Sequence, residues 1–165
     1  MKIFVITAVS LLTALSLTKA ADLTSSEKKF AQEAAAGNSA EVKLAQLAQQ
    51  KTQDSKIKEF ADRMIADHTK ANDDLKTIAD VTVPDHLTGA AKTAYDKLEK
   101  LSGTDFDRTY INDMVKDHEE VAAQYKKEQG TAKDAALKGY VDKTLPVVES
   151  HLAMAKEIQK TTANR

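Results

Sequence analysis

The helical pattern from which the fold is predicted is clearest in IKEFADRMIADHTKANDDLKTI, residues 57–78. Its apolar side chains recur every three or four residues, which is the spacing of one face of an α-helix. His68 falls in the middle of that face, between Met64 and Ala71. The pattern therefore predicts a helix that turns a histidine towards a core, and a buried histidine needs partners for its ring nitrogens.

The same helical pattern continues on both sides of this stretch, and the chain has only five Gly and two Pro. A capping box, TSSE at 24–27, is expected to begin the first helix. Gly37 and Asn38 are weak helix formers, so a kink or a break at these residues is an alternative to one continuous helix. Thr104 or Asp105 is expected to cap the third long helix. We predict four long helices and one short one at about residues 25–50, 55–79, 90–101, 104–129 and 134–160.

The connections between these helices differ in length. Short turns join the first long helix to the second and the third to the fourth, which predicts two antiparallel hairpins. About 23 residues separate the hairpins, enough to travel the length of a bundle. We therefore predict an all-α fold for residues 21–165, a ferritin-like four-helix bundle whose long crossover contains the short helix. A fold in which the connector packs differently is the alternative. Pro146 lies inside the last helix, where it predicts a kink.

Residues 1–20 have the pattern of a secretory signal peptide. Lys2 supplies a positive charge, an apolar run follows, and Thr18 and Ala20 place small residues before a cleavage site. Cleavage after Ala20 predicts a periplasmic or secreted protein with no transmembrane span, whereas a retained N-terminal anchor is the alternative.

Composition narrows the classes of function. Cysteine is absent, which excludes disulfides, thiolate metal ligands and a cysteine nucleophile. The 24 basic residues less Lys2 and Lys19 leave 22 against 25 acidic residues, a net charge of −3 without a basic patch. This balance argues against nucleic acid as a partner. No feature identifies a protein partner, and a homo-oligomer stays open.

Several polar residues fall on or near the inward faces of the predicted helices. Glu41 lies near the middle of the first apolar stripe, at a height within ~5 Å of His68 on the second. Imidazoles and carboxylates are the ligands that Zn, Fe, Mn or Cu take when thiolates are absent. We interpret the following residues as a candidate site for a divalent metal ion: Glu41, His68, Asp107, His118 and His151.

A metal-free polar network explains the same pattern. Glu41 would accept a hydrogen bond from His68, and carboxylates and tyrosines would satisfy the other histidines. Di-iron oxidase chemistry of the usual kind is not expected, because Ile65 and Val148 occupy the glutamate positions of Glu-x-x-His pairs. No known catalytic motif occurs, so the signal for an enzyme is weak; acid–base catalysis by a histidine–carboxylate pair is a third hypothesis.

Two of the histidines directly follow an aspartate, in ADHTKA (66–71) and KDHEEV (116–121). On a helix the aspartate points about 100° away from the histidine. Asp67 and Asp117 are therefore expected on a solvated face or in salt bridges to neighbouring helices.

Four segments of the chain together resemble a known bacterial family. They are FAQEAAAGNSAEVKLAQLA (30–48), IKEFADRMIADHTKANDDLKTIA (57–79), LSGTDFDRTYINDMVKDHEEVAAQYKKE (101–128) and LPVVESHLAMAKE (145–157). The chain is similar over most of its length to the domain-of-unknown-function family 4142. The resemblance implies an exported ferritin-like protein with no established reaction. It also favours one shared site for the inward polar residues. Metal binding in envelope stress or metal handling, and a metal-free structural or interaction module, both stay open.

Overall fold

A computed structural model describes residues 23–162, and within that range it contains helices and no strands. The helices are α1 Ser25–Lys51, α2 Ser55–Ile78, α3 Gly89–Glu99, α4 Gly103–Thr131 and α5 Ala135–Thr162. The all-α prediction is confirmed, and each predicted helix boundary lies within two residues of the observed one. None of the helices in this range is long and apolar enough to cross a membrane. The predicted signal peptide at 1–20 lies outside the described residues.

The first helix begins as its sequence predicts. The Thr24 side chain accepts the backbone N–H of Glu27, and the Glu27 carboxylate accepts the backbone N–H of Thr24. The helix then runs unbroken through Gly37 and Asn38, so no second helix start occurs there. Asn38 is buried and bonded to other helices, and this tertiary burial outweighs its weak helix propensity.

The start of α4 differs from the prediction. Ser102 is the capping residue, while Thr104 and Asp105 lie inside the first turn. Gly103 has a φ of +54°, a conformation that glycine adopts without strain, so the chain turns into the helix directly at this residue. The expectation that Thr104 or Asp105 caps the helix was therefore wrong.

The long helices pack side by side in the order α1, α2, α5, α4. Helix α4 also contacts α1, so the four helices form a closed ring. The two hairpins, α1–α2 and α4–α5, have the most extensive contacts, whereas α1 and α4 touch much less. The short α3 lies against α1 and α4 and buries Leu98 completely. Helix α5 continues through Pro146; the predicted kink stays a prediction.

Glu27 also ties the beginning of α1 to the turn between α4 and α5. One carboxylate oxygen accepts the backbone N–H groups of Lys133 and Asp134, at 2.8 and 2.9 Å. These bonds, together with those from Thr24, lower the pKa of Glu27 to about 2 despite its burial. The side chain therefore caps one helix and holds two hairpins together at the same time. We call this arrangement the Glu27 clamp.

Buried polar side chains divide the core into two apolar clusters. One cluster contains Met64 and Met114 and lies towards the α1–α2 turn; the other contains Leu75 and Val148. On each long helix, buried polar residues lie between the segments that feed the two clusters. This polar layer consists of Asn38, Glu41, His68, His118 and His151. The sequence pattern that placed His68 between Met64 and Ala71 is thus repeated on neighbouring helices.

Candidate metal centre

Three histidines from three helices meet in the polar layer. His68 comes from α2, His118 from α4 and His151 from α5. Their ring centroids are 5.3 to 5.8 Å apart, and one nitrogen of each ring lies within 4.8 Å of the others. All three side chains are buried. We call His68, His118 and His151 the three-histidine cluster.

A buried amide on α1 orients the ring of His68. The Nδ1 atom lies 2.9 Å from the Oδ1 atom of Asn38. The Asn38 amide nitrogen donates to the Asn72 side chain and to the Tyr140 hydroxyl, which leaves Oδ1 as the acceptor towards the histidine. His68 therefore carries its proton on Nδ1, and its Nε2 atom holds a lone pair.

The other two rings are held by acceptors in the same way. His118 donates from Nδ1 to the backbone carbonyl of Met114, at 3.0 Å. His151 lies with its Nε2 atom 2.8 Å from a carboxylate oxygen of Asp67, which also pairs with Arg63. A carbonyl and a carboxylate can only accept, so each ring presents its proton outward. Acceptors of this kind fix the tautomer of metal-binding histidines in proteins.

The remaining nitrogen of each ring has no hydrogen-bond partner within the described residues. These atoms are Nε2 of His68, Nε2 of His118 and Nδ1 of His151. Since the opposite nitrogen of each ring is the donor, all three carry lone pairs. Three buried acceptors without a hydrogen-bond donor thus belong to three rings that are in contact with one another. A cation is the species that can satisfy all three at once.

Burial lowers the pKa of all three histidines. For His68 the positive charge that His151 and His118 would carry adds to the effect of burial. Burial lowers the pKa of His118 to about 4, although the charge of Asp117 opposes it. Burial also lowers the pKa of His151, against the hydrogen bond and charge of Asp67. The cluster is therefore neutral near pH 7, and neutral imidazole is the form that binds a metal.

A second group of potential ligands adjoins the cluster. Atoms of Glu41, Asp117 and His118 lie within 4.8 Å of one another. Burial raises the pKa of Glu41 well above its ordinary value, and the neighbouring charge and hydrogen bond of Asp117 raise it further. The Oε2 atom of Glu41 has no partner within the described residues. We call Glu41 and Asp117 the carboxyl pair.

The structure brings four of the five residues predicted from sequence into two adjoining groups. Glu41, His68, His118 and His151 belong to them. Asp107 does not: it lies three turns before His118 on α4, about 16 Å along the helix axis. It is buried, and its Oδ1 atom has no partner among residues 23–162. The expected hydrogen bond between Glu41 and His68 is also replaced, because Asn38 occupies the Nδ1 atom of that ring.

Three residues of the site escaped the sequence reasoning. Asn38 was read as a helix break, although it lies one turn before Glu41 on the same side of α1. Asp67 and Asp117 were both expected on a solvated face or in a salt bridge to a neighbouring helix. Asp67 contacts His151 on α5 and so orients its ring. Asp117 is half exposed and also reaches the buried Glu41. Its side chain is 47% exposed, so it joins the site to the surface.

A cleft of about 470 Å³ leads from the surface to this site. It lies between α1 and α4, the neighbouring long helices with the least extensive contact, and the beginning of α3 lines one side. Glu41, His68 and His118 line its inner part. The apolar lining includes Phe30, Ala34, Leu44, Ala94, Met114 and Tyr125. We call it the α1–α4 cleft.

Comparisons with known proteins match the chain to a family without an assigned activity. The model of a family described as "Domain of unknown function (DUF4142)" matches residues 12–158. No curated protein and no solved structure matches the chain. The matched range contains the three-histidine cluster and the carboxyl pair, but the family description names neither a ligand nor a reaction.

Proposed function

The chain belongs to the DUF4142 family, and we propose that it is an exported, ferritin-like protein that binds a divalent transition-metal ion at the three-histidine cluster. In this proposal the protein serves metal handling or envelope stress by holding the ion rather than by catalysis. The observation that carries it is the arrangement of the ring nitrogens. Each histidine has one nitrogen fixed by an acceptor and the other unpartnered.

The energetic cost of the unpartnered nitrogens supports an ion. A buried acceptor without a partner costs about 1–3 kcal/mol, and three such atoms are gathered here. A structural polar network would be expected to pair at least some of them with donors on neighbouring helices. The N–H groups of the three rings are instead bonded to Asn38, Met114 and Asp67. A bound cation would turn all three costs into favourable bonds.

The type of ligand indicates the class of ion. Imidazole suits zinc, copper and iron, whereas manganese prefers carboxylate and water oxygens. Three protein ligands leave a coordination position for water or for a further ligand, as in zinc sites that are not purely structural. Among Zn, Fe, Mn and Cu, the three-histidine cluster therefore favours Zn, Cu and Fe. Mn would require the carboxyl pair as well.

Elemental analysis tests the proposal directly. The protein is purified from the periplasm without a chelator or histidine tag, alongside His68→Ala and His151→Ala variants. His86→Ala is the matched control, because His86 is 76% exposed and lies outside the cluster. We expect near-stoichiometric metal in the wild type and the control, and little in the two cluster variants. If the wild type contains no metal and takes up neither Zn²⁺ nor Co²⁺, the polar layer is structural and the proposal is wrong.

Two parts of the proposal rest on other observations. The short hairpin turns and the long connection between α2 and α4 support a ferritin-like bundle, and an experimental structure tests it. The signal-peptide pattern of residues 1–20 supports export. Mass spectrometry of the periplasmic protein should find a chain that begins at Ala21. A cytoplasmic protein that retains Met1 would contradict export.

A further inference from the structure

The α1–α4 cleft has an acidic lining that the three-histidine cluster does not use. Five of its lining side chains are carboxyl groups and one is a lysine, Lys116. The carboxyl groups are Glu33, Glu41, Asp113, Asp117 and Glu120. A cleft lined by charges of one sign concentrates ions of the opposite sign and speeds their binding. Glu33 and Asp113 are paired with lysines, but the other three carboxyl groups still outnumber Lys116, so the lining favours cations over anionic ligands.

Ligand atoms within the cleft come together at the carboxyl pair. Glu41 is only 6% exposed, and its Oε2 atom has no partner among the described residues. Asp117 lies beside it and is half exposed, so it is accessible from the cleft mouth. His118 completes the group and also belongs to the three-histidine cluster. Potential metal ligands are thus present from the solvent-exposed Asp117, through Glu41, to the buried histidines.

We propose that Glu41 and Asp117 form an outer docking site for a divalent cation, through which the ion passes to the three-histidine cluster. This inference rests on the proposed function, because it supplies the route to that site. Carboxylate oxygens bind Zn²⁺, Fe²⁺ and Co²⁺ as well as harder cations, so a cation can be held there before it meets imidazole nitrogen.

The shared histidine dictates the order of events. The Nδ1 atom of His118 lies 4.0 Å from an Asp117 oxygen but donates to the Met114 carbonyl, so Nε2 is the nitrogen of this ring that can bind an ion. One nitrogen cannot serve an outer and an inner ion at the same time. The outer site is therefore occupied in passing: the ion arrives on the carboxyl pair, gains His118, and moves on to His68 and His151. At equilibrium one ion is bound.

Rapid mixing of metal-free protein with Co²⁺ tests this route, with the visible absorbance of the bound ion as the signal. The variants are Glu41→Gln and Asp117→Asn, each of which replaces a carboxyl oxygen that can bind the ion, with little change in shape. Asp73→Asn is the control, because it removes the same charge from an exposed position outside the cleft. We expect uptake about tenfold slower in both cleft variants, within the range of electrostatic steering. The control should match the wild type, and all should bind one Co²⁺ at the end.

The possible results separate the docking site from the cluster itself. Uptake at the wild-type rate in both cleft variants, or a second Co²⁺ held beside the first, overturns the docking site and leaves the three-histidine cluster standing. Failure of the wild type to bind Co²⁺ at all removes the proposed function, and the docking site with it. Thermal melts followed by circular dichroism establish that each variant is folded before its rate is compared.

Discussion

Acidification should destabilise the metal-free protein through His118. Burial lowers the pKa of this group from 6.5 to about 4. Between these values the unfolded chain is protonated at His118 and the folded chain is not, so unfolding takes up a proton. The free energy of unfolding therefore falls as the pH falls from 6.5 towards 4. At about 1.4 kcal/mol per pH unit, the loss between pH 7 and pH 5 is about 2 kcal/mol.

Glu41 acts in the opposite direction and must be removed from the comparison. Its folded pKa is raised above the ordinary 4.5, so the stability that it contributes is present below pH 4.5 and is lost as the pH rises. The suitable background is therefore Glu41→Gln. In that background His118 is compared with His118→Gln by urea unfolding in the presence of a chelator. The free energy of unfolding is measured at pH 7 and pH 5.

The two proteins should respond differently to pH. Glu41→Gln should lose at least about 2 kcal/mol between pH 7 and pH 5, because burial lowers the pKa of the other two histidines as well. The double variant should lose about 2 kcal/mol less. An equal loss in both proteins would contradict a lowered pKa of His118, because it would mean that His118 takes up its proton equally well in the folded and unfolded chains.

Three further predictions concern other parts of the molecule. Glu41→Gln should stabilise the metal-free protein at pH 8 relative to the wild type, because the variant has no carboxyl group whose ionisation favours the unfolded chain. Urea titrations should show no such gain below pH 4.5. Asp67→Ala should weaken Zn²⁺ binding roughly 10- to 100-fold in a chelator competition, because the ring of His151 loses its acceptor. Asp85→Ala, an exposed control, should leave the affinity unchanged. Equal affinities in the two variants would exclude a role for the Asp67 carboxylate in orienting His151. Glu27→Ala should lower the free energy of unfolding by about 3 kcal/mol, because the part-buried hydrogen bonds from Lys133 and Asp134 to a charged acceptor are lost. Glu33→Ala, which loses an exposed ion pair, should cost less than about 0.5 kcal/mol, and similar losses in the two variants would contradict this account.

The helices were predictable because their signals are local. The spacing of apolar residues around His68 and the capping box at Thr24 both lie within a few positions along the chain. The same helical geometry places Glu41 and His118 on inward faces. These parts of the fold and site follow from periodicity alone, which sets the face of a helix without reference to its neighbours.

The partners of those residues were not predictable, because they depend on how far apart the helices lie. Asp117 points about 100° from His118, a direction that meets solvent on an isolated helix. It reaches Glu41 because the loose contact of α1 with α4 leaves a cleft there. The bond from His68 to Asn38 depends on the rotation of α1 relative to α2. Asp107 lies on the same side of α4 as His118, but it is three helical turns away along the axis and therefore does not belong to the cluster.

The Glu27 clamp has a consequence for the kinetics of folding. It joins residues 107 positions apart, so its bonds close a long loop and have a high entropic cost of formation. Contacts of such long range that lie at the edge of a bundle are expected to be absent from the folding transition state. Loss of the clamp should therefore accelerate unfolding and leave the refolding rate almost unchanged. A single carboxylate at the start of α1 would then govern how long the native state persists rather than how quickly it is reached.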